Sequence, residues 1–440
     1  MIFKRILHPV GHGAFFTEQI IGSNNHILFH MAYDCGSSSK DLLDREINKI
    51  TKPFDIFFIS HFDSDHVNGI KRLIDKKWIN TNTTVVIPFI YPQLIKILLQ
   101  EMKDEMSPEV FDALEALFDS EARIVGFDER TSDTISESFV NRRVILSNIS
   151  SITRKIRYYE NCIWFYVPYN TITNDGRENR FLEDLFNCFK SDEFSEDVDF
   201  DVFEKKFIDT GNCLRDLFTD NKGNVDDTKY NSFINKLKEL YKKASSPMKG
   251  VTAINLNSLN LLSFGSPLLK ENANHTLHYS KDYYEIMKRK FLFFQWNGKE
   301  NSPYKIFMKE IRKKDYYNFN MSYCSFSGLY TGDCMMEYNF FEHIDRICNE
   351  VIESPIGLLQ IPHHGSKYNY NQLILSKPIL SSFINFNSTR KASNDVKEIE
   401  RDFFMVCKPC FEITQDEESC FEQQVFWDSS IFNKKKNIHS

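Results

Sequence analysis

The chain has 440 residues, 42% apolar and 26% charged, the balance of a soluble globular protein with core volume for one large or two ordinary domains. Its net charge of −7 argues against a broadly basic nucleic-acid-binding surface, while leaving room for a local basic cleft, because phosphate contacts depend on local charge. No cationic N-terminal stretch precedes an apolar core, the apolar run from Val85 to Leu99 is broken by Pro88, Pro92, Gln93 and Lys96, and ten Cys accompany no secretion signal, so a cytoplasmic chain with reduced thiols and no membrane span is expected.

In chain order, the apolar run from His26 to Asp34 enters the loop Cys35-Gly36-Ser37-Ser38 as a strand would. Leu42, Leu43, Ile47 and Ile50 recur at helical spacing, and Phe54 to Ser60 is a nearly continuous apolar run suited to a buried strand. Ile70, Leu73 and Ile74 mark another helix, and Thr84 to Ile90 another strand. From about Pro92 to Gly250 the signals are helical and charged; residues 175–206 are acidic and Phe-rich, and 231–243 basic and amphipathic. Strand signals return from Ser258 to Phe264. They pause over a charged stretch containing Lys309, Arg312, Lys313 and Lys314, then resume at Phe326–Thr331, Gly357–Pro362 and Ile379–Phe386. The pattern predicts an α/β core in two halves, residues 1–100 and 251–390. A helical charged insertion over 101–250, a smaller insertion near 268–320 and a C-terminal extension over 391–440 complete the chain.

The chemistry gathers in the run Ser60-His61-Phe62-Asp63-Ser64-Asp65-His66, directly after a predicted buried strand. Extended alternation aims His61, Asp63 and Asp65 to one side, and His66 follows as the chain turns into a helix. Imidazole nitrogens and carboxylate oxygens suit Zn²⁺, Mn²⁺ or Fe²⁺. The plain alternative is a polar helix start with Asp63 or Asp65 as its cap. Two later elements weigh against that. Tyr330-Thr331-Gly332-Asp333-Cys334 delivers one Asp at a Gly turn, and Ile361-Pro362-His363-His364-Gly365-Ser366 places adjacent His residues on a Gly loop. Together the three elements supply the ligands of a two-metal site.

In these motifs the chain resembles the metallo-β-lactamase superfamily, whose signature is His-x-His-x-Asp-His, and in particular the branch that includes the hydrolase domain of the DNA-uptake protein ComEC. The ordered correspondences are Val10-Gly11-His12-Gly13, Tyr33-Asp34-Cys35-Gly36, Asn255-Leu256-Asn257-Ser258-Leu259, Thr331-Gly332-Asp333 and Pro362-His363-His364-Gly365-Ser366, over roughly half the chain. The resemblance implies a four-layer αβ/βα sandwich interrupted by two largely helical insertions, two divalent ions (Zn²⁺ or Mn²⁺), and hydrolysis by a water acidified between them. It departs from the family at Asp63, which stands where the signature has its second His, and in lacking a third His after the signature. His275 and His278 fall in the smaller insertion and read as surface residues.

The expected ligands are His61, Asp63, Asp65, His66, Asp333 and His364. His61, Asp63 and the bridging Asp333 would form one site, with His12 or water completing it. Asp65, His66, Asp333 and one of His363 or His364 would form the other. Asp65 would also orient the nucleophile, His363 would protonate the leaving oxygen, and Lys367 would touch a phosphate. A phosphodiesterase or nuclease acting on nucleic acid is the leading function. Hydrolysis of a non-phosphate ester is an alternative, as is a binding subunit of a larger assembly, docked through the insertions, with weak or no catalysis. Cys407-Lys408-Pro409-Cys410 alone is a weak zinc signal.

Overall fold

The computed structural model describes residues 1–22, 24–88, 107–127, 144–146, 164–172, 225–245, 257–265, 269, 273–278, 326–387, 394–406 and 408–428. The chain opens with β1 (Ile2–Leu7), β2 (Phe15–Ile21) and β3 (Ile27–Cys35), then passes through α1 (Lys40–Ile47) and β4 (Ile56–Phe58) to the short helices α2 (Ser64–Val67) and α3 (Ile70–Asp75). Next come β5 (Thr84–Ile87), α4 (Pro108–Asp119), β6 (Arg123–Gly126), β7 (Val144–Leu146), β8 (Trp164–Ile172), α5 (Asp227–Ser245), β9 (Asn257–Gly265) and β10 (Ala273–His278). The last elements are β11 (Gly328–Tyr330), α6 (Tyr338–Arg346), β12 (Ile356–Gln360), β13 (Ile379–Asn385), α7 (Asn394–Met405), β14 (Cys410–Ile413) and β15 (Phe421–Trp427).

The strands form two sheets, ordered β10-β15-β1-β2-β3-β4-β5-β6 and β14-β13-β12-β11-β9-β8-β7. Within them β3 to β6 run parallel, as do β11 to β14. Alternation along each strand sends side chains to opposite faces. Met31, Tyr33, Ile56 and Phe58 of the first sheet share an inter-sheet core with Tyr166, Leu261, Tyr330 and Phe383 of the second. Ala32, Phe57 and Ile59, on the outer face, pack with Leu43, Leu73, Leu114 and Phe233 from α1, α3, α4 and α5. Val167, Leu262 and Ile384 are likewise covered by Phe340, Ile344, Ile399 and Phe403 from α6 and α7. The result is helix, sheet, sheet, helix: the four-layer αβ/βα sandwich that the motifs imply.

Several segments expected to lie outside the core belong to it. Inside residues 101–250, α4, β6 and β8 are core elements. The Ser107 side chain caps α4 by accepting from the Val110 backbone N–H at 3.3 Å, and Pro108 fills the first turn. His275 and His278 sit on β10, an edge strand paired with β15, within the stretch read as the smaller insertion. The last 50 residues supply α7, β14 and β15. In β15 Phe421, Gln423, Val425 and Trp427 are buried alternately, and the strand pairs with β1 at the start of the chain. Such a closing partner, over 400 residues away, leaves no local sequence signal. The acidic stretch 175–206, Lys309, Arg312, Lys313 and Lys314, and Cys407 of the Cys-x-x-Cys run lie outside the described residues. No helix among the described residues is long and apolar enough to cross a membrane.

A buried polar network fastens one sheet to the other. Arg5 on β1 donates through Nε to Glu18 Oε1 at 2.7 Å and through Nη1 to Gln423 Oε1 at 2.5 Å, and both Arg5 and Glu18 are fully buried. From the opposite sheet, the Ser263 hydroxyl donates to Glu18 Oε2 at 2.6 Å and the Tyr330 hydroxyl to Glu18 Oε1 at 2.6 Å, while the Trp164 indole donates to Ser263 Oγ at 2.8 Å. Removing one partner strands a buried charge. Glu18→Ala should therefore cost about 3–5 kcal/mol by urea denaturation, with Arg5→Met/Glu18→Met losing less than the two single changes added together. Additive losses would show that the pair is not coupled.

Candidate metal centre

The ends of β3, β4, β11, β12 and β13 meet at one edge of the sandwich, where Asp34, Ser60, His61, Asp333, His363, His364 and Asn385 are placed. These are the C-terminal ends of parallel strands, where a strand fixed by the core hands over to a loop that can turn side chains toward a ligand. The neighbouring backbone is drawn in tightly. Gly36, after β3, lies so near the His61–His66 run that a Cβ there would stand 2.3 Å from the Asp65 carbonyl carbon and 2.4 Å from the His66 nitrogen. His363, His364 and Gly365 all have positive φ, at 49°, 53° and 79°, a conformation that costs energy for the two His residues and is held by the surrounding contacts.

Asp34 organises the imidazoles. Its Oδ1 accepts from the Ser60 backbone N–H at 2.7 Å, and its Oδ2 accepts from the Ser60 hydroxyl at 2.7 Å and from His66 Nδ1 at 2.8 Å. With its hydrogen committed to Asp34, Ser60 Oγ accepts from His61 Nδ1 at 2.8 Å. His364 Nδ1 donates to the Asn385 carbonyl at 2.9 Å. Each of these three rings thus has its Nδ1 hydrogen tied to a fixed acceptor and turns Nε2 to the centre, the tautomer a metal ligand requires. Asn369 Nδ2 donates to the carbonyls of Asp333 and Cys334, at 2.8 and 3.1 Å, which fixes Asn369 Oδ1 as the acceptor of His363 Nδ1 at 2.9 Å. Gln360 holds the turn before Asp333 by accepting from the backbone of Thr331 and Gly332.

Two clusters result, in each of which the potential ligand atoms lie within 4.8 Å of one another. In the first, Asp333 faces His61 Nε2 and His66 Nε2, each at 3.4 Å, and Asp63 Oδ2 is 3.5 Å from His61 Nε2. His61 Nε2, His66 Nε2 and Asp333 Oδ1 are buried without a hydrogen bond. Buried polar atoms are rarely left so, and three converging on one point form a group that could hold a cation. In the second, Asp65 Oδ2 lies 3.0 Å from His364 Nε2 and 3.5 Å from His12 Nε2. The clusters adjoin: the His66 and His364 rings are 5.5 Å apart.

The protonation equilibria agree with this geometry. Burial and the neighbouring His66 lower His61, but Asp333 and Asp63 outweigh them and raise it to about 9. Burial also opposes charge on His66, yet Asp333 and Asp34 hold it well above the usual imidazole value. Against the same desolvation, His364 and His66 hold Asp65 well below the usual carboxylate range, and His61 and His66 do so for Asp333. Both sets of shifts have one cause, the attraction between these carboxylates and imidazoles across the cluster.

All six expected ligands reach this edge, in a different pairing. His66 was expected beside Asp65, but its Nδ1 bond to Asp34 turns its Nε2 toward Asp333 and His61 instead. His12, expected to complete the first site, lies with Asp65 and His364. Of the His pair, His364 is buried and enters a cluster, whereas the His363 side chain is 49% exposed, with Nε2 3.7 Å from Asp333. Asp63 occupies the N-cap position of α2 yet makes no capping hydrogen bond, so the plain helix-start reading does not account for its side chain. Lys367 is paired with Glu398 and Asp395 of α7 and is not turned to the centre. The roles of Asp34, Ser60, Asn369 and Asn385 were not read from the sequence. An Asp closing a strand just before Cys-Gly was the available signal for Asp34; the Asn residues offered none.

No protein-family model matches the chain, and no curated protein matches it in sequence. Among solved structures, the chain is similar to a long form of RNase Z from yeast, with 9% sequence identity and a TM-score of 0.31, over 88% of this chain and 36% of that one. The chain thus spans little more than a third of the length of that structure.

Two measurements probe the centre. Groups raised like His61 and His66 contribute stability that is complete below about pH 6.5 and is lost as pH rises through the folded value, about 9 for His61. The depressed Asp65 and Asp333 contribute stability present above about pH 4 and lost as pH falls. In chelator the melting temperature should therefore peak between these limits, and added Zn²⁺ or Mn²⁺ should raise it most on the alkaline side by displacing protons. A metal-free melting temperature that climbs steadily from pH 6.5 to 9 would contradict this. Separately, Asp34→Ala should weaken metal binding about 10–100-fold in calorimetric titration, because it frees His66 and Ser60 from their anchor.

Proposed function

We propose that the chain is a metal-dependent hydrolase of phosphodiesters, acting on nucleic acid as a nuclease. The observation that carries the hydrolase reading is the pair of adjoining His/Asp clusters at the C-terminal edge of the parallel strands, the first of them with three buried ligand atoms that make no hydrogen bond. The preference for phosphodiesters comes from the motif resemblance to the ComEC-like branch, since the same donors serve other ester hydrolyses. His61, His66 and Asp333, flanked by Asp63, would hold one ion, and Asp65 and His364 would contribute to a second. Asp63 adds a carboxylate where the resemblance predicts an imidazole, making the first position harder and favouring Mn²⁺ over Zn²⁺. Bound divalent ions would supply the charge that acidifies a water and stabilises the phosphoryl oxygens.

The chain's own residues divide the remaining work. Asp333 and Asp65 bring fixed negative charge to the two positions. His363 is held by Asn369 through Nδ1, which leaves Nε2, on the side facing Asp333, as the atom that would carry a transferable proton in the imidazolium form. From there it can be delivered to the departing oxygen. The half-exposed His363 and Asp63 border the open side of the centre, where a phosphate would enter.

The test is cleavage of single- and double-stranded DNA, RNA and a chromogenic phosphodiester with added Mn²⁺. Asp65→Ala and Asp333→Ala should each lower kcat/KM by more than the roughly 100-fold expected of an outer-sphere residue, and His363→Ala should lower kcat more than it raises KM. If wild type and variants are equally inert on every ester, the chain is a binding subunit and the hydrolase reading falls.

A further inference from the structure

We propose that His12, on the connection between β1 and β2, is the third protein ligand of the second divalent-ion position, completing Asp65 and His364. This rests on the metal-centre reading above and extends it to a residue outside the His61–His66, Asp333 and His363–His364 motifs. His12 Nε2 is 3.5 Å from Asp65 Oδ2, on the carboxylate oxygen that His364 Nε2 approaches to 3.0 Å, and the two imidazole rings are 4.0 Å apart. Two imidazoles and one carboxylate then face each position: His61, His66 and Asp333 in the first, His12, His364 and Asp65 in the second. Three protein ligands with room for a further one is the arrangement of a catalytic ion, not of a closed structural site.

The loop that carries His12 is fastened on every side, as a ligand-bearing loop must be. Gly11 donates to the Thr414 carbonyl at 3.3 Å, Ser38 donates to the His12 carbonyl at 2.7 Å, and Ala14 donates to the Asp65 carbonyl at 3.2 Å. The Gly13 carbonyl accepts from the Asn385 amide, and Asn385 in turn offers its own carbonyl to His364. His12 and His364 are therefore registered against each other through one residue. Gly13 has φ 143°, and a Cβ there would stand 2.4 Å from the Gly36 carbonyl oxygen, so a larger residue would push His12 away from Asp65. His363, the neighbour of His364, faces Asp333 instead. Side-chain exposures of 35% for His12 and 24% for Asp65, against 3% for His61 and none for His66, make the His12 position the one that exchanges its ion first.

The experiment counts ions in the full chain. Metal-depleted wild type, His12→Ala, His12→Gln and His363→Ala are reloaded with Co²⁺, dialysed, and measured by elemental analysis and visible absorption, with circular dichroism in chelator as the folding control. The expected result is two ions in wild type and His363→Ala and one in both His12 variants, with loss of the more rapidly exchanging absorption component. Two ions at wild-type affinity in a folded His12 variant, loss of both ions together, or a single ion in wild type would each overturn the assignment. If His12→Ala does not fold, His12→Gln, which keeps a polar side chain of similar length, decides. Wild type that binds two ions and cleaves no ester leaves this assignment standing and removes the proposed activity. Wild type that cleaves while the His12 variants keep two ions does the reverse.

Discussion

The carboxylate of Asp34 lies wholly inside the protein and accepts three hydrogen bonds, and the orientation of the centre follows from them. One bond fixes the backbone at Ser60, one orders the Ser60 hydroxyl, and one turns His66. Through Ser60 the same carboxylate also settles His61, which it does not touch. A buried anion is costly unless its acceptor capacity is filled, and here the filling groups are the ones that present the imidazoles. Replacing either Ser60 or His66 would leave Asp34 short of a partner, so the local sequence is bound to the centre by stability as well as by chemistry.

Because the clusters draw on both sheets, their geometry depends on how the sheets are registered. His61, Asp65 and His66 come from the first sheet, and Asp333 and His364 from the second. Between them the Leu259 backbone donates to the Ser60 carbonyl at 2.8 Å, and the Tyr33 hydroxyl donates to the Leu259 carbonyl at 2.7 Å. Leu259 stands in the middle of the second sheet, so these bonds pin β9 to the strand end from which the His61–His66 run departs. The Arg5–Glu18 network does the same deeper in the sandwich. Apolar packing alone would allow small slips between the sheets, whereas directional bonds to buried charges have one satisfied arrangement.

Which residues gather at this edge was legible in the sequence, and how they group was not. Apolar runs ending in His, Asp and Gly announce strand ends that present candidate ligands, and the three such elements do converge. Spacing reports which residues share a loop, but the direction of an imidazole is set by whatever accepts its Nδ1 hydrogen. For His66 that acceptor is Asp34, 32 residues earlier; for His364 it is the Asn385 carbonyl, 21 residues later. The same limit applied to the fold. Elements with local periodicity, such as β3, α1 and β13, were readable, while β10 and β15 make sense only through partners far away in the chain. In 101–250 the charge of the surroundings concealed β8, whose Trp164, Phe165, Tyr166, Val167 and Tyr169 are fully buried on both of its faces.

Charge balance ties these parts together. Asp34, Asp63, Asp65 and Asp333 would together carry, when ionised, the negative charge that two divalent ions neutralise, with the imidazoles acting as neutral donors. The attraction between these carboxylates and imidazoles raises His61 and His66 while it depresses Asp65 and Asp333. A divalent ion at these Nε2 atoms would compete with protons, so ion binding and protonation would be linked. A carboxylate at position 63 adds one more negative charge to this arrangement. It would strengthen the demand for a cation at the first position, at the expense of the imidazole that the motif resemblance predicts there. An imidazole reaching the second position from His12 would restore nitrogen donation to the centre without loosening the anchored strand-end motif.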